Sequence, residues 1–146
     1  MKNEFSTENR LAAIKNLEKI MDGKLDKDII NDIQEKLLIF SIEPYLGEAH
    51  IDSAIFYTTL TLSLDIGKKF HGKSWGVESL GETTYHGGIL TSDFNELITE
   101  SKKFTMADTA GGISILFLTS SFKPVGYFEG IGLPMIGAAA GSGSWS

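Results

Sequence analysis

Glycine is distributed very unevenly along this chain, and its distribution divides the chain into two parts. Of the 16 glycines, only Gly23 and Gly47 lie in the first 50 residues, and the other fourteen lie from Gly67 onward. Glycines within strands mark bulges and sharp bends, and a small closed barrel needs such bends. The second part of the chain is therefore predicted to fold differently from the first.

The overall composition is typical of a folded globular domain. A chain of 146 residues is long enough for one domain with a real core, and its 42% hydrophobic and 22% charged residues are ordinary proportions. The net charge of -6 is spread over the chain without a basic cluster, which argues against nucleic-acid binding. Because the chain has no cysteine, disulfides and thiolate zinc sites are excluded.

Residues 1–46 are predicted to form a helical N-terminal segment of two helices. Apolar residues recur there at spacings of three and four, which places them on one face of a helix. These residues are Leu11, Ile14, Leu17 and Met21 in the first helix and Ile29, Ile30, Ile33, Leu37 and Leu38 in the second. Ser6 or Thr7 would cap the first helix and Gly23 would end it, and Pro44 would stop the second.

Residues 50–146 are predicted to form a β-barrel domain. The hydrophobic period changes to two, most clearly where Leu60 and Leu62 alternate with threonine and serine. Further short runs follow between Gly, Asp, Asn, Ser or Pro, a pattern typical of an antiparallel meander or Greek-key arrangement. A sandwich and a small barrel both fit, and we favour the barrel because closure removes exposed strand edges. One stretch, SDFNELITES, predicts a single helical turn capped by Ser92 or Asp93.

The last seventeen residues, GIGLPMIGAAAGSGSWS, carry no charge and include five glycines. They are too rich in glycine, and too interrupted by Pro134, to form a stable membrane-spanning helix. The spacing of Ile131, Leu133 and Met135 has the period of a strand. GIGLPMI and AAAGSGSW are therefore predicted to be the last two strands, with Trp145 filling the core.

Three histidines, His50, His71 and His86, raise the question of a metal site, with Asp52 or Glu82 as further ligands. Their spacing matches no compact metal-binding motif. His71 and His86 would meet only if they lay on adjacent strands, and each lies next to a turn glycine, where a solvated histidine is the ordinary case. We therefore assign no metal ligand.

Other catalytic arrangements find equally little support. Ser74 in HGKSWGV lacks the strand-to-helix context of a nucleophile elbow. Glu78 and Glu82 are separated by a turn and are more typical of a solvated loop than of a glycosidase pair. GETTYHGG and GSGSWS contain glycines without a phosphate-loop pattern. The sequence thus predicts no catalytic residue, no cofactor-binding residue and no cofactor.

Trp75 and Trp145 are the two tryptophans, and small residues bracket both of them. They would be aromatic anchors for a membrane interface or a carbohydrate if they were exposed. We favour the alternative that they fill the core where neighbouring backbones come close.

Three stretches of the second part resemble the virulence-associated protein family of Rhodococcus, the Vap proteins. They are YTTLTLSLDIGKKFHGKSWGV at 57–77, ILTSDFNEL at 89–97 and VGYFEGIGLPMIGAAAGSGSWS at 125–146, and their order and spacing also fit. The resemblance covers about residues 50–146. It implies a mainly β fold, a compact eight-stranded antiparallel β-barrel without an obvious ligand cavity, here preceded by the two-helix segment.

The resemblance also implies a function. It points to a virulence-associated protein that is not an enzyme and that acts on a host endolysosomal membrane or protein target, and the family supplies no catalytic residues to carry over. An alternative from another class is a small-ligand-binding barrel such as a lipocalin-like carrier, which needs an interior wider than its side chains fill. An enzyme of unrecognised type is a third hypothesis, and it needs His71, His86 and a carboxylate to cluster.

Localisation and partners follow from the same resemblance. Family members are secreted, whereas the start MKNEFSTENRLAAIKNLEKI lacks the apolar stretch of a signal peptide, which leaves cytoplasmic residence and non-classical export open. The expected partner is a host protein or a lipid membrane surface, with no nucleic acid. A monomer is the favoured oligomeric state.

Overall fold

The computed structural model describes residues 44–54, 57–75, 81–109, 111–133 and 138–146, together with Asn31 and Glu35. The described residues from Pro44 onward form eight strands and one helix. The strands are β1 (Tyr45–Ser53), β2 (Tyr57–Leu64), β3 (Lys69–Trp75), β4 (Gly81–Leu90), β5 (Lys103–Thr109), β6 (Gly112–Leu118), β7 (Pro124–Ile131) and β8 (Ala138–Trp145), and the helix α1 (Phe94–Glu100) lies between β4 and β5.

The eight strands close into one antiparallel barrel in the order β1-β2-β3-β8-β5-β6-β7-β4. Two runs of consecutive strands, β1-β2-β3 and β5-β6-β7, are joined by β4, which pairs with β1 and β7, and by β8, which pairs with β3 and β5. Each strand therefore has a partner on both sides, and no edge is left for another chain to pair with. The predicted eight-stranded antiparallel barrel is confirmed.

The predicted two-helix N-terminal segment lies outside the described residues, apart from Asn31 and Glu35. Both of these residues are helical and exposed. They fall within the second predicted helix. The first helix and the boundaries of both helices stay predictions.

The strand assignments differ from the sequence prediction at two places. β1 begins at Tyr45, whereas the sequence predicts a barrel that starts at residue 50. At the other end of the barrel sequence, β7 continues to Ile131. The chain bends at Gly132, and Leu133, which is 80% exposed, belongs to no strand. GIGLPMI is therefore not a separate strand over its described part, because it supplies only the end of β7. AAAGSGSW forms β8, as predicted.

Side chains alternate between the inside and the outside of the barrel along each strand, as the two-residue period requires. On β2 the inward Leu60, Leu62 and Leu64 are buried, while Thr59 and Thr61 face outward and are half-buried. The buried core cluster contains Ala49, Ile51, Leu60, Leu62, Leu64, Phe70, Tyr85, Ile89, Leu97, Phe104, Met106, Ile113, Ile115, Phe117, Val125, Phe128 and Trp145. The described strands thus share a single interior.

Helix α1 contributes to this interior from one end of the barrel. Asp93 caps it, since its Oδ1 accepts a hydrogen bond from the Glu96 backbone N–H at 3.1 Å. Leu97 is fully buried in the core cluster, and its Cδ1 lies only 2.6 Å from where a Cβ on Gly126 would stand. The ring of Phe94 packs on Tyr45 with a centroid distance of 4.5 Å. The helical turn predicted from SDFNELITES is therefore present and capped by Asp93.

Candidate functional site

The barrel interior holds a cluster of aromatic rings where a carrier protein would hold its ligand. Phe70 is the centre of the cluster, with ring centroids 5.6 Å from Phe104, 4.9 Å from Phe117 and 5.5 Å from Trp145. These three contacts are edge-to-face, the arrangement that aromatic quadrupoles favour. Trp145 is 9% exposed, so the prediction that it fills the core is confirmed.

Glycines on the inner wall show how tightly the side chains fill this space. A methyl group on Gly72 would stand 2.5 Å from the Phe104 ring and 2.8 Å from the Phe70 ring. One on Gly130 would stand 2.7 Å from the ring of Phe128. Since these levels of the barrel lack room for one carbon atom, they lack room for a small ligand, and the described interior argues against the lipocalin-like carrier.

The polar groups of the interior mostly bond to one another or to the backbone. The Tyr85 hydroxyl donates to the Leu133 carbonyl at 2.8 Å, and the Ser53 and Thr58 hydroxyls lie 3.1 Å apart. Burial, with a smaller contribution from the negative charge of Asp108, raises the pKa of Tyr85 to about 12. Tyr85 is therefore a neutral hydrogen-bond donor at physiological pH, and it holds the chain after β7 against the mouth of the barrel.

Ser74, the serine considered as a nucleophile, points into the barrel and is fully buried. Its hydroxyl has no hydrogen-bond partner in the described part of the chain, nor does the indole nitrogen of Trp145. A serine nucleophile needs a base within hydrogen-bonding reach, and the described surroundings of Ser74 supply none. Glu78, which with Glu82 was the candidate glycosidase pair, lies outside the described residues. The side chain of Trp75 lies outside them as well.

Two of the three histidines lie on the outer surface of β1 and β4, each beside a glutamate. His50 Nε2 lies 3.6 Å from Glu82 Oε1, and its Nδ1 lies 3.0 Å from a threonine hydroxyl on β4. His86 Nδ1 lies 3.3 Å from Glu48 Oε1. These pairs are exposed, so they contribute little to stability. In the described ranges, no three His, Asp or Glu side chains come together in a way that could hold a metal ion.

The third histidine is far from this pair in the topology. His71 lies on β3, which is separated from β4 by β1 and β2. His71 and His86 therefore do not lie on adjacent strands, and the enzyme hypothesis loses the cluster that it requires. The prediction that the chain has no catalytic, cofactor-binding or metal-binding residue stays a prediction.

The outer face of β3 carries a row of basic side chains that belongs to none of the motifs considered above. Lys69, His71 and Lys73 alternate with inward residues and are exposed. The Lys73 ammonium lies 4.8 Å from the centre of the Tyr57 ring, which holds it by a cation–π contact. The outward residues of the neighbouring strands carry no charge; they are Tyr57, Thr59, Thr61 and Ser63 on β2 and Ala138, Ala140, Ser142 and Ser144 on β8.

We call these outward residues of β2, β3 and β8 the basic wall. The period-two pattern K-x-H-x-K in KFHGKSW is the sequence signal that would have found it. On a chain with net charge -6, this wall is a described surface where two lysines and a histidine face outward between strands whose outward residues carry no charge. None of the helices in the described ranges has the length and hydrophobicity to cross a bilayer.

Comparison with solved structures identifies this barrel among known folds. The virulence-associated proteins VapB and VapD from the intracellular pathogen Rhodococcus equi each share 24% sequence identity with the chain and superpose with a TM-score of 0.67. Each match covers 71% of this chain, and it covers 96% of VapB and 97% of VapD. This likeness shows a common fold.

Comparison of sequences extends the match beyond the barrel. The curated proteins contain no match to this chain. The family model described as Rhodococcus equi virulence-associated protein, by contrast, matches residues 2–146, which includes the segment before β1. The chain therefore belongs to the Rhodococcus equi virulence-associated protein family.

Proposed function

We propose that this protein is a secreted virulence-associated protein that acts without catalysis, through its outer surface, on a host endolysosomal target. Membership of the family supports the virulence role. The observation that carries the mode of action is the filled interior, where Gly72 and Gly130 have no room for a methyl group. A barrel packed in this way has only its outside to offer to a partner.

The basic wall is the surface that we propose for target recognition. Lys69 and Lys73 project from one strand, and their flanking strands present hydroxyl groups that donate hydrogen bonds to phosphate or carboxylate oxygens. A lipid membrane surface with anionic headgroups fits this chemistry, since each lysine near such a surface contributes on the order of 1 kcal/mol. The contribution is screened by salt, so the binding should weaken as ionic strength rises.

The experiment compares two variants with the same change in charge. Lys69→Glu with Lys73→Glu reverses the basic wall, and Lys102→Glu with Lys123→Glu reverses two exposed lysines at the ends of β5 and β7. Each protein is mixed with phosphatidylserine-containing vesicles and with pure phosphatidylcholine vesicles, and is also fed to endocytosing cells whose lysosomal degradation is followed. Urea unfolding of each variant confirms that the barrel is intact.

We expect the unmodified protein to bind the anionic vesicles and to impair lysosomal degradation. The wall variant should lose both effects, while the other double variant keeps them. An effect on cells that survives wall reversal would remove the basic wall from the proposal and point to a host protein elsewhere on the surface. The absence of any effect of the unmodified protein on endolysosomal function would overturn the proposed function itself.

A further inference from the structure

The outer surface of the barrel has a second face, and its side chains are buried although they point away from the interior. Their neighbours in sequence, among them Ile89, Met106, Ile115 and Phe128, belong to the core cluster, so the two-residue period directs them outward. We call this set the covered face; its members are Leu90, Ala107, Ser114, Leu116, Tyr127 and Glu129.

Register places these residues side by side on β4, β5, β6 and β7. Leu116 lies between Tyr127 on β7 and Thr105 on β5, and Tyr127 lies in turn beside Leu90 on β4. Leu90 and Tyr127 are 0% exposed and Leu116 is 1% exposed. A side chain on the bare outside of a barrel would resemble Lys69 or Lys73 on β3, which are exposed. The covered face is therefore shielded by another part of the molecule.

Helix α1 does not provide this shield. Its buried residue, Leu97, packs inside the barrel end against the inward side of Gly126, and its Phe94 contacts Tyr45. Strand residues cannot provide it either, because all eight strands form the wall itself. The chain that remains is chiefly the 43 residues before Pro44.

The path of the chain into β1 points to the same segment. Gly88 on β4 faces outward, as its pairing with Leu46 on one side and Glu129 on the other shows. A Cβ on Gly88 would stand 2.7 Å from the Cβ of Pro44. Pro44 thus lies on the outside of β4, directly beside the covered face, and the preceding residues start from that position.

The length and pattern of the segment also fit. The strands have seven to ten residues, so they are roughly 23 to 33 Å long. A helix of about 15 residues spans roughly 22 Å, so two of them match the face. The described helical residues Asn31 and Glu35 are exposed, and the 3.6-residue period puts Ile29 and Ile33 on the opposite side of a helix from them.

We propose that residues 1–43 dock on the covered face, with their apolar stripes against Leu90, Leu116 and Tyr127. The docking buries Glu129, which is 5% exposed and accepts a hydrogen bond of 2.6 Å from the Tyr127 hydroxyl. A buried carboxylate must stay hydrogen-bonded, which restricts how the segment sits. The barrel wall of this protein therefore has one surface occupied by its own N-terminal segment and one, the basic wall, left open.

The first test uses a nitroxide label on the full chain, which has no cysteine of its own. Ile131→Cys places the label on β7 beside the covered face at a residue that is 54% exposed, and Ser63→Cys places it on the outside of β2. We expect the label at 131 to broaden the amide signals of residues 1–43 and the label at 63 to leave most of them sharp. Equal broadening from both positions, or none from 131, would overturn the proposal.

A mixing control identifies the occupant. Isotope-labelled chains without a nitroxide are mixed with unlabelled chains that carry it at residue 131. Under the proposal the broadening disappears in the mixture, because the segment and the face belong to the same molecule. Broadening that persists at full strength would show that a second copy covers the face, and the proposal would fail.

The second test breaks the contact from either side. Leu116→Glu puts a charge on the covered face, and Thr61→Glu is the matched control on the outside of β2. Leu116→Glu should remove hydrogen-exchange protection from residues 1–43 and Thr61→Glu should not. Because Leu116→Glu could unfold the barrel, Ile33→Glu provides the complementary change within the segment.

Ile33→Glu is combined with Ser114→Cys, and the rate at which the new thiol reacts is measured. The native Ser114 side chain points outward and is 3% exposed. Release of the segment should raise the rate of thiol modification at 114 by about tenfold or more, while the exchange protection of the core strands stays unchanged. An unchanged thiol rate, with folding intact, would mean that residues 1–43 do not cover this face.

Discussion

At the scale of single residues, the inward glycines are positions where the barrel has no spare volume. The methyl group that Gly72→Ala adds would press against two phenylalanine rings and would stand 3.1 Å from the backbone oxygen of Ser142. A backbone oxygen within a strand cannot move aside as the end of a flexible side chain can. We expect a loss of about 1 to 3 kcal/mol of unfolding free energy, the usual cost of overpacking. Gly111→Ala is the matched control, since a Cβ there meets nothing within 4 Å. Urea unfolding measures both, and equal midpoints would contradict the packed interior.

Tyr85 provides a residue-scale prediction about alkaline pH. Its pKa is about 12 in the folded protein, against 10.0 for an ordinary tyrosine. Between these two values the folded state holds a proton that the unfolded state has lost, so this residue makes stability fall as pH rises through that window. Tyr85→Phe should be less stable near neutral pH, where the bond to the Leu133 carbonyl is lost, and should show a flatter decline above pH 10. Urea midpoints measured from pH 8 upward check this, and parallel declines would refute it.

At the scale of elements, β8 joins the two halves of the barrel. It pairs with β3 through Gly141 and Gly143 and with β5 through Ala139, and Trp145 at its end packs on Phe70. Removal of GSGSWS deletes the whole β3–β8 ladder and two of the five residue pairs between β5 and β8, as well as this ring. We expect the truncated chain to lose its cooperative thermal transition, and Trp145→Ala to cost about 3 to 5 kcal/mol. Ser144→Ala, on the exposed outer side of β8, should melt close to the intact protein. A truncated chain that melts like the intact one would show that GSGSWS is not needed for the stability of the barrel.

The strands that the sequence predicted best are those whose inward residues are large. β2 alternates leucine with threonine and serine, so its period is plain. The predicted barrel starts five residues after the start of β1, because the inward positions of β1 are occupied by Gly47, Ala49 and Ser53 as well as Ile51, and such small residues hardly alter the hydropathy profile. GIGLPMI was wrongly separated from β7 because Ile131 and Leu133 keep the period of a strand after the pairing has ended. Hydrogen-bond partners, which only the closed barrel defines, decide such cases.

At the scale of the whole molecule, the sequence could indicate the class of fold but not which surface matters. The histidines are titratable groups that could form a site, yet closure puts His71 two strands away from His50 on β1 and three away from His86 on β4. The basic wall depends on Lys69 and Lys73 having uncharged neighbours on β2 and β8, and β8 lies more than sixty residues further along the chain. Such a surface comes from strand order, and strand order is set by long-range pairing that no local pattern records.

Closure itself gives the prediction for the molecule as a whole. The barrel cannot form one half at a time, because β4 joins β1 to β7 and β8 joins β3 to β5, so each half leaves unpaired edges until the other is in place. We expect a single cooperative transition, and refolding on the millisecond-to-second scale typical of non-local β topologies. Trp75→Phe leaves Trp145 as the only tryptophan and thus a reporter inside the barrel. Its fluorescence and the far-ultraviolet circular dichroism should give the same urea midpoint. Separate midpoints would show that one set of strands persists without the other, and would contradict a barrel stabilised by its closure.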